Sequence, residues 1–357
     1  MEAKIRVGFL GAGGIARAHA YALEAVKFYY PDAPALEKAF VASPKPKSRE
    51  EFAKNYGFRE ALPPEKIWER DDLDALFILG PNSTHTPQLM RAANQANLKR
   101  IYVEKPLGAS QKDLHDLEEL DQADHGKFIL VGFQYLQKSS LRIALSHWQT
   151  GVFGPPIHFH AEYLHSSYLD PLYRQKHPER LQPIPANGAA ADLGSHAISL
   201  LIAFLGEQFL VKAASVSGRF ADVPKHADLC TTALLEETTS GAVGTLRASR
   251  VSAGTGDQLA LELRGERGAL LFSTSQPDSY ETYLPDEGWK RYNVNSDFQP
   301  HTSFPSDYAP SGWLRALVHN HYLFFSGNPA VSFLPTLSHG IQVQRLLQDI
   351  AEFVISE

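Results

Sequence analysis

Two short segments of the sequence place a lysine, an aspartate and a histidine where they could handle protons. Lys105 lies in the segment Val103–Pro106, directly after a short apolar run that predicts a buried strand. Asp192 and His196 are four residues apart, so on a helix both side chains would lie on one face. An imidazole exchanges a proton near neutral pH, and an ammonium group stabilises negative charge on an oxygen. These three residues form a candidate catalytic group.

Each of these assignments has an alternative that the residues leave open. Lys105 could be a solvated surface charge, and Asp192 could cap a helix. An aspartate and a histidine at this spacing could also bind a metal, but no third ligand with clear spacing is visible, so we expect no metal site. If the group is catalytic, either His196 or Lys105 could accept the proton, and Asp192 would orient His196 or a neighbouring hydroxyl.

A glycine turn near the start of the chain indicates nucleotide binding. Residues 11–16 read GAGGIA and follow a predicted strand at Ile5–Leu10. Gly11 permits the tight turn, Gly13 lets the backbone approach a pyrophosphate, and Ala16 lets the next helix pack closely. The alternative is a tight turn that binds nothing.

The end of the second predicted strand, at Ala39–Ser43, bears on the choice of cofactor. An acidic residue here would favour NAD, but the chain has Ser43 followed by Lys45 and Lys47. A 2′-phosphate would be attracted by these ammonium groups, so we expect NADP in preference to NAD. In the alternative, both lysines are solvated charges at a helix entry.

The order of apolar segments predicts two domains and an α/β fold. Up to about residue 131, short apolar runs alternate with amphipathic helices, which is typical of a parallel sheet covered on both faces. Beyond about residue 155, strand-like runs with short connections predict a mainly antiparallel sheet. We expect a dinucleotide-binding Rossmann domain at residues 1–131 and an α+β substrate and oligomerisation domain at 132–357. Residues 275–312 predict a long ordered loop or hairpin, and 337–355 predict a terminal helix.

Composition excludes several classes of partner and chemistry. The 357 residues include 34 Lys plus Arg against 40 Asp plus Glu, a formal charge of −6, so we expect neither nucleic acid nor a membrane surface as partner. Cys230 is the single cysteine, which rules out an intramolecular disulfide. The N-terminal segment enters a strand without the apolar stretch of a signal peptide, so we expect a cytoplasmic protein.

Four motifs in a fixed order add a family resemblance that covers nearly the whole chain. The glycine turn is followed by P-N-x-x-H at Pro81–His85, E-K-P at Glu104–Pro106 and D-x-G-x-H at Asp192–His196. In this order they resemble the glucose–fructose oxidoreductase, inositol dehydrogenase and rhizopine-catabolism family of NAD(P)-dependent oxidoreductases. The resemblance implies a Rossmann domain, a second domain with an open antiparallel sheet, and a terminal helix that packs back on the first domain.

The resemblance also implies roles for individual residues. It makes Lys105, Asp192 and His196 catalytic. Clustered polar and aromatic side chains suggest substrate contacts at Gln134, Tyr163 and Arg174 besides the catalytic group. The cofactor contacts that the resemblance implies are Gly11, Gly13, Gly14, Ile15, Ser43, Lys45, Pro81, Asn82, His85, Glu104 and Lys105.

We therefore expect a dehydrogenase that oxidises a secondary alcohol of a sugar or inositol-like polyol and passes the hydride to a nicotinamide. The exposed sheet face of the second domain predicts a homodimer or homotetramer. Three alternatives remain open: a nucleotide-sensing regulator or pseudoenzyme without turnover, an imine or enone reductase, and an NAD-dependent glycoside-processing enzyme. Spacing and composition do not distinguish among sugars.

Overall fold

The first part of the chain forms a six-stranded parallel sheet in the order β3-β2-β1-β4-β5-β6. The computed structural model describes residues 4–123, 125–218, 220–294, 297–304, 311–327 and 333–356. The strands are β1 (Ile5–Leu10), β2 (Leu36–Ala42), β3 (Glu60–Leu62), β4 (Ala75–Ile78), β5 (Arg100–Val103) and β6 (Phe128–Val131). The strand order reverses at β1, and the carboxyl-end edge beside such a reversal is where this fold binds ligands.

Four helices connect these strands. They are α1 (Gly14–Tyr29), α2 (Pro46–Tyr56), α3 (Asn82–Ala93) and α4 (Gln111–Gln122). The predicted α/β fold is confirmed. The helices α2 and α3 begin earlier than the amphipathic segments 49–56 and 86–96 that predict them, since their first turns are polar or contain proline. The strand β3 was not predicted, because three residues are too few to show a pattern.

The second part of the chain forms an eight-stranded sheet in the order β14-β13-β12-β11-β7-β10-β9-β8. Only β7 and β10 pair in parallel within it, so the predicted mainly antiparallel sheet is confirmed. The strands are β7 (Pro156–Leu164), β8 (Phe209–Ser217), β9 (Cys230–Glu237), β10 (Ala242–Ser249), β11 (Gln258–Gly265), β12 (Ala269–Ser273), β13 (Ser279–Leu284) and β14 (Gly288–Asn293). The hairpin of β13 and β14 occupies part of the segment predicted as a loop or hairpin; residues 295–296 and 305–310 of that segment lie outside the described residues.

Five further helices complete the fold. They are α5 (Ser139–Gln149), α6 (Pro171–Lys176), α7 (Ser195–Leu205), α8 (Trp313–Ser326) and α9 (Leu337–Ser356). Helix α7 covers the inner face of the second sheet. The terminal helix α9 packs against both α4 and α7, and its Gln344 accepts a hydrogen bond from the Gly108 amide at 3.1 Å. Helix α8 packs against α1, with Tyr322 stacked on Tyr30 at 4.0 Å between ring centroids. The apolar core is therefore continuous between the two sheets.

Candidate active site

The glycine turn leaves room for a phosphate group at the start of α1. Gly11 has φ +131°, and a Cβ there would lie 2.6 Å from the Leu79 carbonyl oxygen, so the position requires glycine. A Cβ at Gly13 or Gly14 would meet nothing within 4 Å. No side chain caps the N-terminus of α1, which leaves its first amides available. The turn thus fits the pyrophosphate of a dinucleotide.

Ser43 and Lys45, the residues predicted to lie at the ribose of the cofactor, directly follow β2. Ser43 is partly buried, while Lys45 is exposed and precedes α2. Arg49, which the sequence reasoning missed, donates hydrogen bonds to the carbonyls of Ser43 at 3.0 Å and Pro44 at 3.4 Å. A third cation therefore stands beside Ser43. Its position one turn into α2 was the signal that could have found it.

Two residues predicted to contact the cofactor hold the strand-end loops together. The buried ring of His85 lies 2.7 Å from the Pro106 carbonyl and 2.9 Å from the Gly80 carbonyl, so it ties the loop after β4 to the loop after β5. The Asn82 amide donates to the Ala186 carbonyl at 3.1 Å and thereby reaches the second domain. The His85 contacts thus join two loops of the first domain, and the Asn82 contact joins this edge to the second domain.

Lys105 and Asp192 meet across the two domains. The Lys105 ammonium donates to the Asp192 carboxylate at 3.0 Å and to the Asp192 carbonyl at 2.6 Å. Two arginines that the sequence did not predict complete the cluster: Arg250 lies 2.9 Å from the other carboxylate oxygen, and Arg180 donates to the same oxygen. Arg180 is 12 residues and Arg250 is 58 residues from Asp192 in the sequence, so no local spacing indicates them.

The charges in this cluster determine the protonation of Asp192. Burial alone would raise the pKa of its carboxyl group, but the positive charges of Lys105, Arg250 and Arg180 hold that pKa well below its usual range. Asp192 is therefore ionised throughout the physiological range. Its carboxylate fixes the position of the Lys105 ammonium group.

Asp192 lies in a single turn of π-helix (the π-turn). Residues Ala190–Gly194 form this turn directly before α7. The buried carboxylate of Asp228 accepts a hydrogen bond from the Ala190 amide at 2.7 Å, and a Cβ at Gly188 would lie 2.5 Å from that carboxylate. Asp228, just before β9, thus holds the turn in place, and Asp192 faces the cations.

His196 stands beside this cluster in an aromatic environment. Its ring centroid lies 5.0 Å from that of Tyr135 and 5.7 Å from that of Tyr163. The two phenol oxygens are 3.0 Å apart. Burial, together with the nearby charge of Lys105, holds the pKa of His196 well below its usual value. A neutral imidazole results, which can accept a proton.

The structure differs from the expected contact between Asp192 and His196. The Asp192 carboxylate is engaged by the cations, and the buried Nδ1 of His196 has no hydrogen-bond partner among the residues that the structure describes. Lys105 takes the place of His196 as the partner of Asp192 because of tertiary packing, which the four-residue spacing does not reveal.

The remaining predicted substrate contacts lie in two places. Gln134 is buried just after β6, and its side-chain oxygen has no partner within the described part of the chain. Arg174 lies in α6, where its guanidinium binds Asp222 at 2.8 Å and the Tyr168 carbonyl at 2.6 Å. The structure does not bring Arg174 into contact with the Lys105 cluster, because Asp222 and the Tyr168 carbonyl occupy its donors.

Two searches of the described residues bear on other classes of protein. Within those ranges, no group of three or more His, Cys, Asp or Glu side chains is arranged to hold a metal ion. None of the described helices is both long and apolar enough to cross a membrane.

The fold and the site define an oxidoreductase with a dinucleotide-binding domain. Residues 5–133 match the model of an oxidoreductase family with an NAD-binding Rossmann fold, and residues 144–271 match the C-terminal domain of the same Gfo/Idh/MocA family. The chain belongs to the Gfo/Idh/MocA family. The resemblance of the four motifs is thereby confirmed.

Several proteins similar to this chain are characterised dehydrogenases. Levoglucosan dehydrogenase of Pseudarthrobacter phenanthrenivorans is 26% identical over 80% of this chain and 78% of its own length. The scyllo-inositol 2-dehydrogenase (NAD(+)) of Bacillus subtilis is 26% identical over 84% of this chain and 82% of its own length. A solved structure of levoglucosan dehydrogenase with NADH and levoglucosan matches 99% of this chain and 98% of that chain with a TM-score of 0.89 at 22% identity, which shows the shared fold.

The two arginines on Asp192 differ in burial, and this difference gives a prediction about stability. The Arg250 side chain is 0% exposed, whereas that of Arg180 is 42% exposed. Removing a partner from a buried ion pair costs about 3–5 kcal/mol, but an exposed pair contributes about 1 kcal/mol or less. We expect Arg250→Met to lower the free energy of unfolding, measured by urea denaturation, by the larger amount. Arg180→Met is the matched control, and equal losses in the two variants would contradict this account.

Proposed function

We propose that this protein transfers a hydride between a nicotinamide cofactor and a secondary alcohol or ketone of a sugar or cyclic polyol. The observation that carries the proposal is the contact of Lys105 with Asp192, beside a neutral His196, at the strand edge that bears the glycine turn. When bound, the nicotinamide supplies the hydride acceptor or donor. The chain supplies the proton transfer and the charge stabilisation.

Each residue of the cluster has a role that its surroundings support. Lys105 donates a hydrogen bond to the reacting oxygen and stabilises negative charge that develops there. His196, neutral and unpartnered at Nδ1 within the described residues, is our first choice as the group that accepts the hydroxyl proton. Asp192 holds the Lys105 ammonium in place. Lys105 remains the alternative proton acceptor.

The class of substrate is supported by the neighbours of the site and by the relatives. The Tyr135 and Tyr163 phenols remain protonated because burial raises the pKa of both groups, so each can donate to or accept from a substrate hydroxyl. With Gln134, they offer the polar groups beside aromatic faces that a polyol requires. The relatives named above act on levoglucosan and scyllo-inositol. A regulator without turnover would not require Lys105, Asp192 and His196 to lie together. Among the described residues, no feature of the site favours imine, enone or glycoside chemistry.

The preference between the two nicotinamide cofactors is a separate proposal. Ser43 stands where a carboxylate would select NAD, and Lys45 and Arg49 lie beside it. These charges favour a 2′-phosphate, so we propose NADP as the preferred cofactor. The solved relatives include complexes with NADH and NAD+, which makes this a point where the chain would differ from them.

The catalytic assignment predicts the effect of two substitutions on turnover. We expect Lys105→Met and His196→Gln each to lower kcat about 10²–10⁴-fold, because each removes a group that stabilises or accepts the transferred charge. The assay follows reduced nicotinamide at its absorbance band with a panel of inositols and anhydrosugars. Lys112→Met, a change at an exposed lysine of α4, is the control and should retain activity. If both site variants kept wild-type kcat, the assignment would be wrong.

The cofactor proposal predicts a measurable ratio. We expect kcat/KM to be higher with NADP than with NAD, and we expect Ser43→Asp to shift the ratio toward NAD by at least tenfold, because a carboxylate repels the 2′-phosphate and binds the ribose hydroxyls. Lys54→Gln, at an exposed lysine in the last turn of α2, makes the same change in charge away from Ser43 and separates a specific effect from a change in local charge. A wild-type preference for NAD contradicts the proposal.

We also propose that the protein forms a homo-oligomer through the outer face of the second sheet. Helix α7 packs on β7 and β11 of the second sheet, whereas the opposite face of the sheet exposes large apolar side chains. An exposed apolar face of this kind marks an interaction surface. The exposed apolar residues of these strands include Leu210, Leu234, Val243, Tyr283 and Trp289.

Charges placed on this face should dissociate the oligomer. We expect Leu234→Lys combined with Val243→Lys to convert a dimer or tetramer to a monomer in sedimentation velocity. Phe28→Lys, on the exposed side of α1 and 76% exposed, is the matched control and should leave the mass unchanged. A wild-type protein that sediments as a monomer would refute the proposal.

A further inference from the structure

Arg180 is the accessible cation of the Asp192 cluster. It ends the short turn Pro178–Arg180, and its side chain is 42% exposed, against 14% for Lys105 and 0% for Arg250. One nitrogen of its guanidinium group donates to the Asp192 carboxylate. Among the described residues, that is the only hydrogen bond this guanidinium group makes. Arg180 therefore presents free donors to the open side of the site.

Stability explains Arg250 better than it explains Arg180. The buried guanidinium of Arg250 donates to the Arg180 carbonyl at 2.6 Å and to Asp192 at 2.9 Å, and it lies over the Tyr168 ring at 5.1 Å. Arg250 thus ties the Arg180 turn to the second sheet. The side chain of Arg180 forms a half-exposed pair, and exposed pairs contribute little to the stability of a fold. A second role for Arg180 is therefore required.

The acidic groups around Arg180 leave the cluster positive. Asp192 divides its charge among three cations. Glu104 is buried below the strand end, where its carboxylate accepts a hydrogen bond from the next backbone amide. Asp257 and Glu179 are exposed, and neither forms an ion pair with Arg180 in the described part of the chain. The contacting groups thus have an excess of two positive charges.

The position of Arg180 relative to Lys105 indicates what this charge binds. The two side chains contact opposite oxygens of one carboxylate, so a ring bound at Lys105 can place a substituent at Arg180. A guanidinium presents parallel donors that match two oxygens of a carboxylate or a phosphate. We propose that the substrate is an anionic sugar or polyol, whose carboxylate or phosphate group binds Arg180 while its hydroxyl group reacts at Lys105. This inference rests on the proposed function and names the substrate class of the same site.

An oxyanion at Arg180 would also leave the charge that the reaction needs. A bound carboxylate reduces the excess of positive charge from two to one. The remaining charge is that of an ammonium group beside the reacting oxygen, where an alkoxide develops. Arg180 is therefore a specificity-determining residue, and Lys105 keeps its role in the chemical step.

Matched pairs of substrates test the requirement for a negative charge. The pairs are D-glucose with D-glucuronate, for a carboxylate, and myo-inositol with myo-inositol 1-phosphate, for a phosphate. In at least one pair we expect kcat/KM for the anionic member to exceed that of its neutral partner about tenfold or more, because charge-assisted hydrogen bonds hold it. The pair that shows the excess identifies the oxyanion. If neither pair shows it, the inference is wrong.

Arg180→Gln tests whether this residue is the source of the preference. We expect the variant to lower kcat/KM for the anionic substrate about 10–100-fold more than for its neutral partner, chiefly through KM. The neutral partner reports any indirect effect through Asp192. Arg180→Lys keeps the charge without the parallel donors and should recover part of the loss.

The matched control is Arg345→Gln in α9. The Arg345 side chain is 45% exposed and also pairs with a carboxylate, that of Glu118, so the variant should leave both members of each pair unchanged. The KM for the nicotinamide cofactor should stay the same in Arg180→Gln. Equal losses for the neutral and anionic substrates, or a loss confined to cofactor binding, overturn the role of Arg180.

Calorimetry of the protein saturated with reduced cofactor tests binding without turnover, because reduced nicotinamide accepts no further hydride. We expect D-glucuronate or myo-inositol 1-phosphate to bind the wild-type protein about tenfold or more tightly than Arg180→Gln. If the wild-type protein oxidises no polyol, neutral or anionic, the proposed function fails, and this titration still decides whether Arg180 holds an oxyanion. A wild-type protein that binds neither anion overturns the inference.

Discussion

The ion pair between Lys105 and Asp192 is the interaction on which the site depends. One partner follows a strand of the first sheet, and the other lies in a π-turn that leads into the helix covering the second sheet. Neither sheet supplies both residues of the proposed reaction centre. The relative position of the two sheets therefore sets the distance between Lys105 and Asp192, and a continuous core under α7 and α9 joins the two sheets.

Three positive charges surround the single negative charge of Asp192. Lys105, Arg180 and Arg250 give the cluster a net positive charge, and the neutral His196 adds none. Such a site favours negative charge on a bound oxygen, which is the charge that an alcohol acquires as its proton leaves. Burial, together with the nearby charge of Lys105, explains why His196 remains a free base. The cost of burying so many charges is offset by pairing them with one another and with backbone carbonyls.

The parts of this arrangement that are local in sequence could be predicted, and the parts created by packing could not. The glycine turn, the Lys105 loop and the Asp192 segment each carry a short pattern, and strand alternation indicates both sheets. Arg250 reaches Asp192 from the end of β10, and Tyr135 reaches His196 from the turn after β6, contacts that only the folded chain creates. The π-turn is also invisible in the sequence, because a helical period does not show where one extra residue is inserted.

Helix α8 has a consequence for how the chain folds during its synthesis. Its residues Leu317, Phe324 and Phe325 belong to the same core as Phe9, Phe77 and Tyr102 of the first sheet. The cofactor half therefore cannot complete its interior while α8 is still in the ribosome. Long-range contacts of this kind form slowly because the intervening chain must first be closed. The half of the protein that is made first must therefore wait for a helix that is made much later.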